Sequence, residues 1–208
     1  MPRLVAETIG KRFGRRVLFR NLSFVLEGGR TLAVTGANGS GKSTLLKIIG
    51  GILRPTKGSV ALHLNGQAVD DAERPLQTGF VAPYLNVYDG FSARENLAFL
   101  ARVRCLPEAA RRITDVLDQV DLTPRADDLV GTYSSGMKQR VKYAAALLAE
   151  PPLLLLDEPT ANLDAEGLAM VDRIVAYQRE AGRLLLVATN VPAEAARCDD
   201  VLRLEAHR

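Results

Sequence analysis

Cysteine is scarce in this sequence of 208 residues: Cys105 and Cys198 are the only two, far apart and with no His or Cys at metal-ligand spacing. That excludes a disulfide-dense scaffold and predicts two free thiols in a reducing compartment. Long hydrophobic runs are missing too. The most apolar stretch, Tyr143 to Leu156, is cut by Glu150, Pro151 and Pro152 and is too short to span a bilayer. Residues 1–30 interleave Arg3, Glu7, Lys11, Arg12, Arg15 and Arg16 with apolar positions, so no signal peptide is expected. Neither sign of charge dominates: 27 basic residues face 24 acidic ones, and an excess of +3 selects no partner. A nucleic-acid surface would need those charges gathered on one face. There is no internal repeat and no low-complexity segment. What remains is a globular composition, 47% hydrophobic and 25% charged, in a chain whose length suits a single domain spanning 1–208.

Short strands separated by turn residues fill the first third. Leu4–Thr8, Leu22–Leu26, Thr31–Thr35 and Gly58–Leu64 are the candidates, with a helix at about Ser43–Ile49 after a glycine-rich loop. A strand near Gly79–Val81 leads into an irregular stretch, and from Ser92 the pattern turns helical. Ser92 and Glu95 have the spacing of a capping box. Pro107 marks the start of a second helix carrying Ile113, Val116, Leu117 and Val120, and a third follows Gly136. Leu153–Leu156 and Leu184–Ala188 are unbroken apolar strands around a helix at Ala165–Ala181, and Val201–Leu204 is a last short strand. Apolar runs without alternation, joined through helices, mark a parallel sheet covered on both faces. The fold class is therefore α/β with a helical insert at about 85–150.

Gly36, Ala37, Asn38, Gly39, Ser40, Gly41, Lys42 and Ser43 fit the phosphate-binding pattern G-x-x-x-x-G-K-[S/T], between a strand and a helix. The glycines let backbone N–H groups approach phosphate oxygens, with help from the helix N-terminus. Lys42 supplies a mobile positive charge for the β- and γ-phosphates, the Ser43 hydroxyl is a ligand for Mg²⁺, and Thr44 faces the α-phosphate side. Taken alone, the pattern names a nucleoside triphosphate site and no particular enzyme. Its partner is the run Leu153-Leu154-Leu155-Leu156-Asp157-Glu158. A buried strand ending in a carboxylate puts Asp157 where it can hold Mg²⁺ through water, and Glu158 one residue on can polarise an attacking water.

At Tyr133-Ser134-Ser135-Gly136-Met137-Lys138-Gln139-Arg140 the chain resembles the ATP-binding cassette (ABC) ATPases, whose signature is usually written L-S-G-G-Q-x-Q-R. Pro159-Thr160-Ala161-Asn162-Leu163-Asp164 resembles that family's D-loop, and the similarity runs from about Ile9 to Leu204. The resemblance implies a RecA-like phosphate-loop core, an N-terminal antiparallel β subdomain and a helical subdomain. It implies binding and hydrolysis of ATP with Mg²⁺, and pairing with a second cassette, identical or a paralogue. In that pairing Ser134, Ser135, Gly136 and Met137 touch the ATP held by the partner, as suits a helix start with free N–H groups. Phe13 matches the aromatic that stacks on adenine; the alternative is a hydrophobic anchor in a hairpin. The neighbouring Lys11, Arg12, Arg15 and Arg16 read as a solvated basic rim, and no nucleic-acid partner is expected.

Two positions depart from the family pattern. Pro83 stands where the Q-loop usually has glutamine, and Asn190 follows Thr189 where histidine is usual. His63 and His207 are the only histidines and neither can substitute. The implied function is the ATPase subunit of a membrane transporter, cytoplasmic and peripheral, acting through a separate polytopic membrane subunit docked near Leu85–Asn96. The departures predict slow hydrolysis, with Glu158, Lys42 and Asn190 as the catalytic set. The alternatives are a degenerate cassette with a regulatory or assembly role and a soluble ABC ATPase acting on nucleic acid or ribosomes.

Overall fold

The computed structural model describes residues 1–161 and 163–204; Asn162 and His207 lie outside the described residues. An antiparallel sheet is built from β1 (Arg3–Phe13), β2 (Arg16–Glu27), β4 (Lys57–Leu64) and β5 (Gln67–Ala68), in the order β2-β1-β4-β5. A parallel sheet is built from β3 (Thr31–Thr35), β6 (Thr78–Val81), β7 (Leu153–Asp157), β8 (Leu184–Ala188) and β9 (Asp200–Arg203), in the order β6-β7-β8-β3-β9. Helix α1 (Lys42–Ile49) follows β3. Helices α2 (Ala93–Val103), α3 (Ala109–Gln119) and α4 (Ser135–Leu147) lie between β6 and β7 in the chain, and α5 (Ala165–Glu180) and α6 (Pro192–Ala195) flank β8. Among the described residues, no helix is long and apolar enough to cross a membrane.

The unbroken leucine runs work on two faces at once. Leu153, Leu155, Leu184 and Leu186 join the core shared with α1 and the antiparallel sheet. Leu154, Leu156, Leu185 and Val187 point the other way, into the core with α2 to α5. A strand with period two can be apolar throughout only when both faces are covered, which is the condition met here.

The first two strands are longer than the sequence predicts, and a bulge explains why. Thr8 has a left-handed φ of 48°, and the β1–β2 register shifts between Ala6 and Ile9. The extra residue changes the phase, so Leu4 and Ala6 before it and Ile9 after it all reach the core. A strict alternation test breaks at that point. Helix α2 has the expected capping box, with Glu95 N–H donating to Ser92 Oγ and Ser92 N–H to the Glu95 carboxylate. Helix α3 begins at Ala109 rather than Pro107, because Glu108 is left-handed with φ 52°.

Edge strand β9 is fastened to β3 by Asp199. Its carboxylate accepts from the Thr31 N–H and hydroxyl, both at 2.8 Å, and from Arg179 at 2.9 Å. Burial pushes the Asp199 carboxyl up, but the Thr31 hydrogen bonds and the Arg179 and Arg30 charges outweigh it and hold it below its usual value. A depressed carboxylate adds stability that is fully present above its unfolded value near 4 and is lost as pH falls through the lower folded value. Asp199→Ala should therefore cost about 1–2 kcal/mol at pH 7. That deficit should shrink in denaturant melts as pH is lowered from 5 toward 3; a deficit independent of pH would show that the charge is not what matters.

Candidate functional site

The parallel strands β3, β7 and β8 deliver their carboxyl ends to one edge of the sheet, the usual place for a ligand crevice in α/β folds. The phosphate loop leaves β3 through Gly36, with φ 148°, where a Cβ would lie 2.5 Å from the Leu204 carbonyl oxygen. Gly41, with φ 104°, caps α1 without any side-chain bond, so the first N–H groups of the helix have no side-chain cap. A Cβ there would meet the Phe19 ring at 3.0 Å, so both glycines are required by geometry and not only by flexibility. Lys42 is buried, and its Nζ donates to the carbonyls of Gly36 at 2.9 Å and Ala37 at 3.3 Å. Ser40 is buried with an unpartnered Oγ, while Ala37, Asn38 and Gly39 are exposed.

Asp157 ends β7 almost wholly buried, and its Oδ2 has no partner among the described residues. Burial pushes its carboxyl up and the Glu158 charge adds to this, against a hydrogen bond from Ser43 and the charges of Lys42 and Lys47. An orphaned carboxylate oxygen beside a hydroxyl is a hard oxygen pair. No cluster of three or more His, Cys, Asp or Glu side chains that could hold a metal is present among the described residues. Mg²⁺ suits this donor set, because it keeps most of its waters and takes only one or two protein ligands.

Glu158 breaks away from the strand direction with a left-handed φ of 49°, while its N–H still donates to the Ala188 carbonyl at 2.9 Å. The turn exposes the side chain and brings it to a cleft of about 560 Å³. That cleft is lined by Glu158, Phe13, Lys42, Ser43, Thr44 and residues of the glycine loop. Phe13 sits at the end of β1, half exposed, with Lys11 Nζ 4.9 Å from its ring centroid. Exposure of that ring speaks against the hairpin-anchor alternative. Arg16, which sequence reasoning left in the basic rim, lines the same cleft and donates to the Gly39 carbonyl at 3.4 Å. Nothing in the sequence beyond its nearness to Phe13 signals this.

Asn190, just beyond β8, reaches the glycine loop: its Nδ2 donates to Asn38 Oδ1 at 2.5 Å. Pro83 lies in the segment after β6, and its carbonyl accepts from Lys142 of α4 at 2.9 Å. Ser134 caps α4, accepting from the Met137 N–H at 3.2 Å, and Ser134 and Ser135 are exposed. Ser134, Ser135, Gly136 and Met137 do not line the cleft that holds Lys42 and Glu158. The rest of α4 ties this helix start to the chain after Glu158. Tyr143 Oη donates to the Pro159 carbonyl at 2.8 Å, and buried Arg140 lies 3.6 Å from both Asp164 and Glu166. Sequence reasoning missed these links, which join segments distant in the chain.

The family described as "ABC transporter" matches residues 19–161. The lipoprotein-releasing system ATP-binding protein LolD 1 of Caulobacter vibrioides is 40% identical over 204 residues, covering 93% of this chain and 86% of that protein. The linearmycin resistance ATP-binding protein LnrL of Bacillus subtilis is 32% identical over 201 residues; the match covers 95% of this chain and 65% of LnrL. The dimeric post-hydrolysis structure of the ATP-binding cassette MJ0796, bound to ADP and Pi, superposes with a TM-score of 0.84 at 25% identity, over 99% of this chain and 97% of that one.

Proposed function

This chain belongs to the ABC transporter ATP-binding family, and from that premise we propose that it binds MgATP in the cleft between Phe13 and Glu158 and hydrolyses it to drive a separate membrane subunit. The observation that carries this reading is the single cleft that joins Lys42 and Ser43 of the phosphate loop to Glu158 at the end of β7. Phe13 on the rim is the platform for adenine. The loop N–H groups and Lys42 hold the phosphates, with Lys42 Nζ exchanging the Gly36 and Ala37 carbonyls for phosphate oxygens. Ser43 and Asp157 would hold Mg²⁺, which would supply charge neutralisation to the triphosphate. Glu158 accepts a proton from the water that attacks the γ-phosphorus, while the bond to the bridging oxygen breaks and ADP leaves.

Ser134 and Gly136 serve the ATP of a second cassette, a reading supported by their absence from the lining of the chain's own cleft. A polytopic membrane subunit docks over Leu85–Asn96 and holds the chain at the cytoplasmic face of a membrane. The exposed rings of Tyr88, Phe91 and Phe99 support that position, with centroids 5.7 and 5.8 Å apart around Tyr88.

Hydrolysis is slow because Asn190 is engaged by Asn38 and carries no imidazole, and because Pro83 offers no side-chain amide. Removing one well-placed donor to a transferring oxygen costs about 10²–10³ in rate, and the amide of Asn190 retains part of that. Asn190→His should raise single-turnover hydrolysis by roughly tenfold. It should also add a pH dependence between about 6 and 7 that the parent chain lacks. Phosphate release from preloaded ATP, followed by rapid quench, checks both. No phosphate release by the parent chain at all would favour a cassette that binds ATP without turnover.

A further inference from the structure

Glu158 and Asn190 hang from two neighbouring turns, one at the end of β7 and one at the end of β8. The turns share a root: Asp157 pairs with Ala188 in the parallel ladder, and Glu158 N–H donates to the Ala188 carbonyl. Beyond that root their fastening is unequal. The Glu158 turn is closed by Ala161 N–H on the Glu158 carbonyl at 3.1 Å, and Tyr143 of α4 holds it at Pro159. The Asn190 turn is fixed at buried Thr189, whose N–H donates to the Val34 carbonyl and whose hydroxyl accepts from the Val191 N–H. Past Val191 the chain makes only α6, four residues with none buried. One side chain ties this short helix back to the Glu158 turn. The Thr160 hydroxyl donates to Glu194 Oε1, and both residues are partly buried. The second oxygen of that carboxylate, Oε2, is buried without a partner among the described residues. A buried carboxylate oxygen left bare is costly, so stability alone is a poor reason for Glu194 to be here.

We infer that Glu194 is a positioning residue for hydrolysis: its bond to Thr160 braces the turn that carries Asn190 against the turn that carries Glu158. Asn190 reaches Asn38 of the glycine loop, and Asn38 and Glu158 line the same cleft. The brace therefore sets where the Asn190 amide stands relative to the water that Glu158 polarises. Glu194 is absent from the cleft lining, so it acts through Asn190 and not on the nucleotide. Without the brace, the Glu158 turn keeps its own bonds to Ala188, Ala161 and Tyr143, whereas α6 loses its tie to that turn. The side chain displaced is then Asn190. A misplaced donor forfeits part of the roughly 10²–10³ in rate that a well-placed one contributes.

The inference rests on the MgATP reading, and single-turnover phosphate release measured beside MgATP affinity separates the two. Glu194→Ala should slow release by about tenfold and leave the affinity within about twofold. Glu194→Gln keeps an acceptor oxygen at the same reach and should return the rate to near the parent value. Thr160→Val removes the donor from the other end, should match Glu194→Ala, and takes its place if that variant does not fold. In an Asn190→Ala chain, adding Glu194→Ala should cost less than about twofold more, because the brace then has no amide to place. Asp172→Ala cuts a different fastening of this segment, the 2.7 Å bond from Arg197, and should leave the rate at the parent value. A loss under about twofold on breaking the Thr160–Glu194 bond overturns the inference. So does an equal loss with and without Asn190, an equal loss in Asp172→Ala, or a Glu194→Gln chain as slow as Glu194→Ala. An affinity loss as large as the rate loss, or a parent chain that binds MgATP and releases no phosphate, overturns it too. All of these leave MgATP binding standing, whereas a parent chain that binds no ATP overturns the site reading itself.

Discussion

Glu158→Gln should lower single-turnover ATP hydrolysis by about 10²–10⁴-fold while leaving nucleotide affinity within a factor of a few. The expectation follows from where the backbone puts this side chain. Asp157 continues β7 and is buried, whereas Glu158 turns into the left-handed region and faces the cleft that Lys42 and Ser43 also line. A non-glycine residue at φ 49° is uncommon and costs energy, and here the Ala188 carbonyl and the Ala161 N–H hold it in place through its own backbone groups. Gln keeps the size and can still orient a water, but it cannot take the proton. With hydrolysis blocked, MgATP should also hold two cassettes together through Ser134 and Gly136 of the opposing chain. Sizing chromatography of Glu158→Gln with MgATP checks this. A monomer alone would mean that two copies of this chain do not suffice and that a paralogue or the membrane subunit provides the second half. Hydrolysis as fast as in the parent would remove Glu158 as the base and strengthen the binding-only alternative.

The parts of this site visible in the sequence are those whose chemistry depends on neighbours in the chain. The run from Gly36 to Ser43 declares itself because a tight anion cradle needs glycines at fixed offsets before a lysine. Asp157 and Glu158 were legible because a strand covered on both faces is apolar until its last residue. The capping box at Ser92 and Glu95 was legible for the same local reason. What escaped is non-local. Arg16 enters the cleft through the β1–β2 turn, Asn190 finds Asn38 across the sheet edge, and Tyr143 of α4 reaches the Pro159 carbonyl just after Glu158. The bulge at Thr8 hid most of β1 and β2, since it breaks the alternation by which strands are recognised. Pro107 suggested a helix start two residues early, because the left-handed Glu108 that sets the true start carries no compositional mark.

Lys42→Ala should weaken ATP binding by about 10²-fold, the cost of losing a charged hydrogen-bond donor worth roughly 3 kcal/mol. The remaining donors of the loop are neutral N–H groups, so no other cation of the loop itself replaces it. Arg16 is nearest in the cleft, but it bonds the Gly39 carbonyl from the outer rim. The variant also frees the carbonyls of Gly36 and Ala37, which Lys42 now satisfies at 2.9 and 3.3 Å. That second effect acts on the loop without nucleotide and must be separated from the loss of charge. A melt in the absence of nucleotide measures it: loosening of the loop alone should lower stability by about 1 kcal/mol, since both carbonyls regain water. Isothermal titration with ATP in chelator and with MgATP then isolates the charge, because each titration compares folded chains only. The affinity loss should appear in both titrations and should shrink as salt is raised, as a charge contribution does. Equal affinities of parent and variant would remove the assignment of Gly36–Ser43 as the phosphate site, and the proposed roles of Ser43 and Asp157 would fall with it.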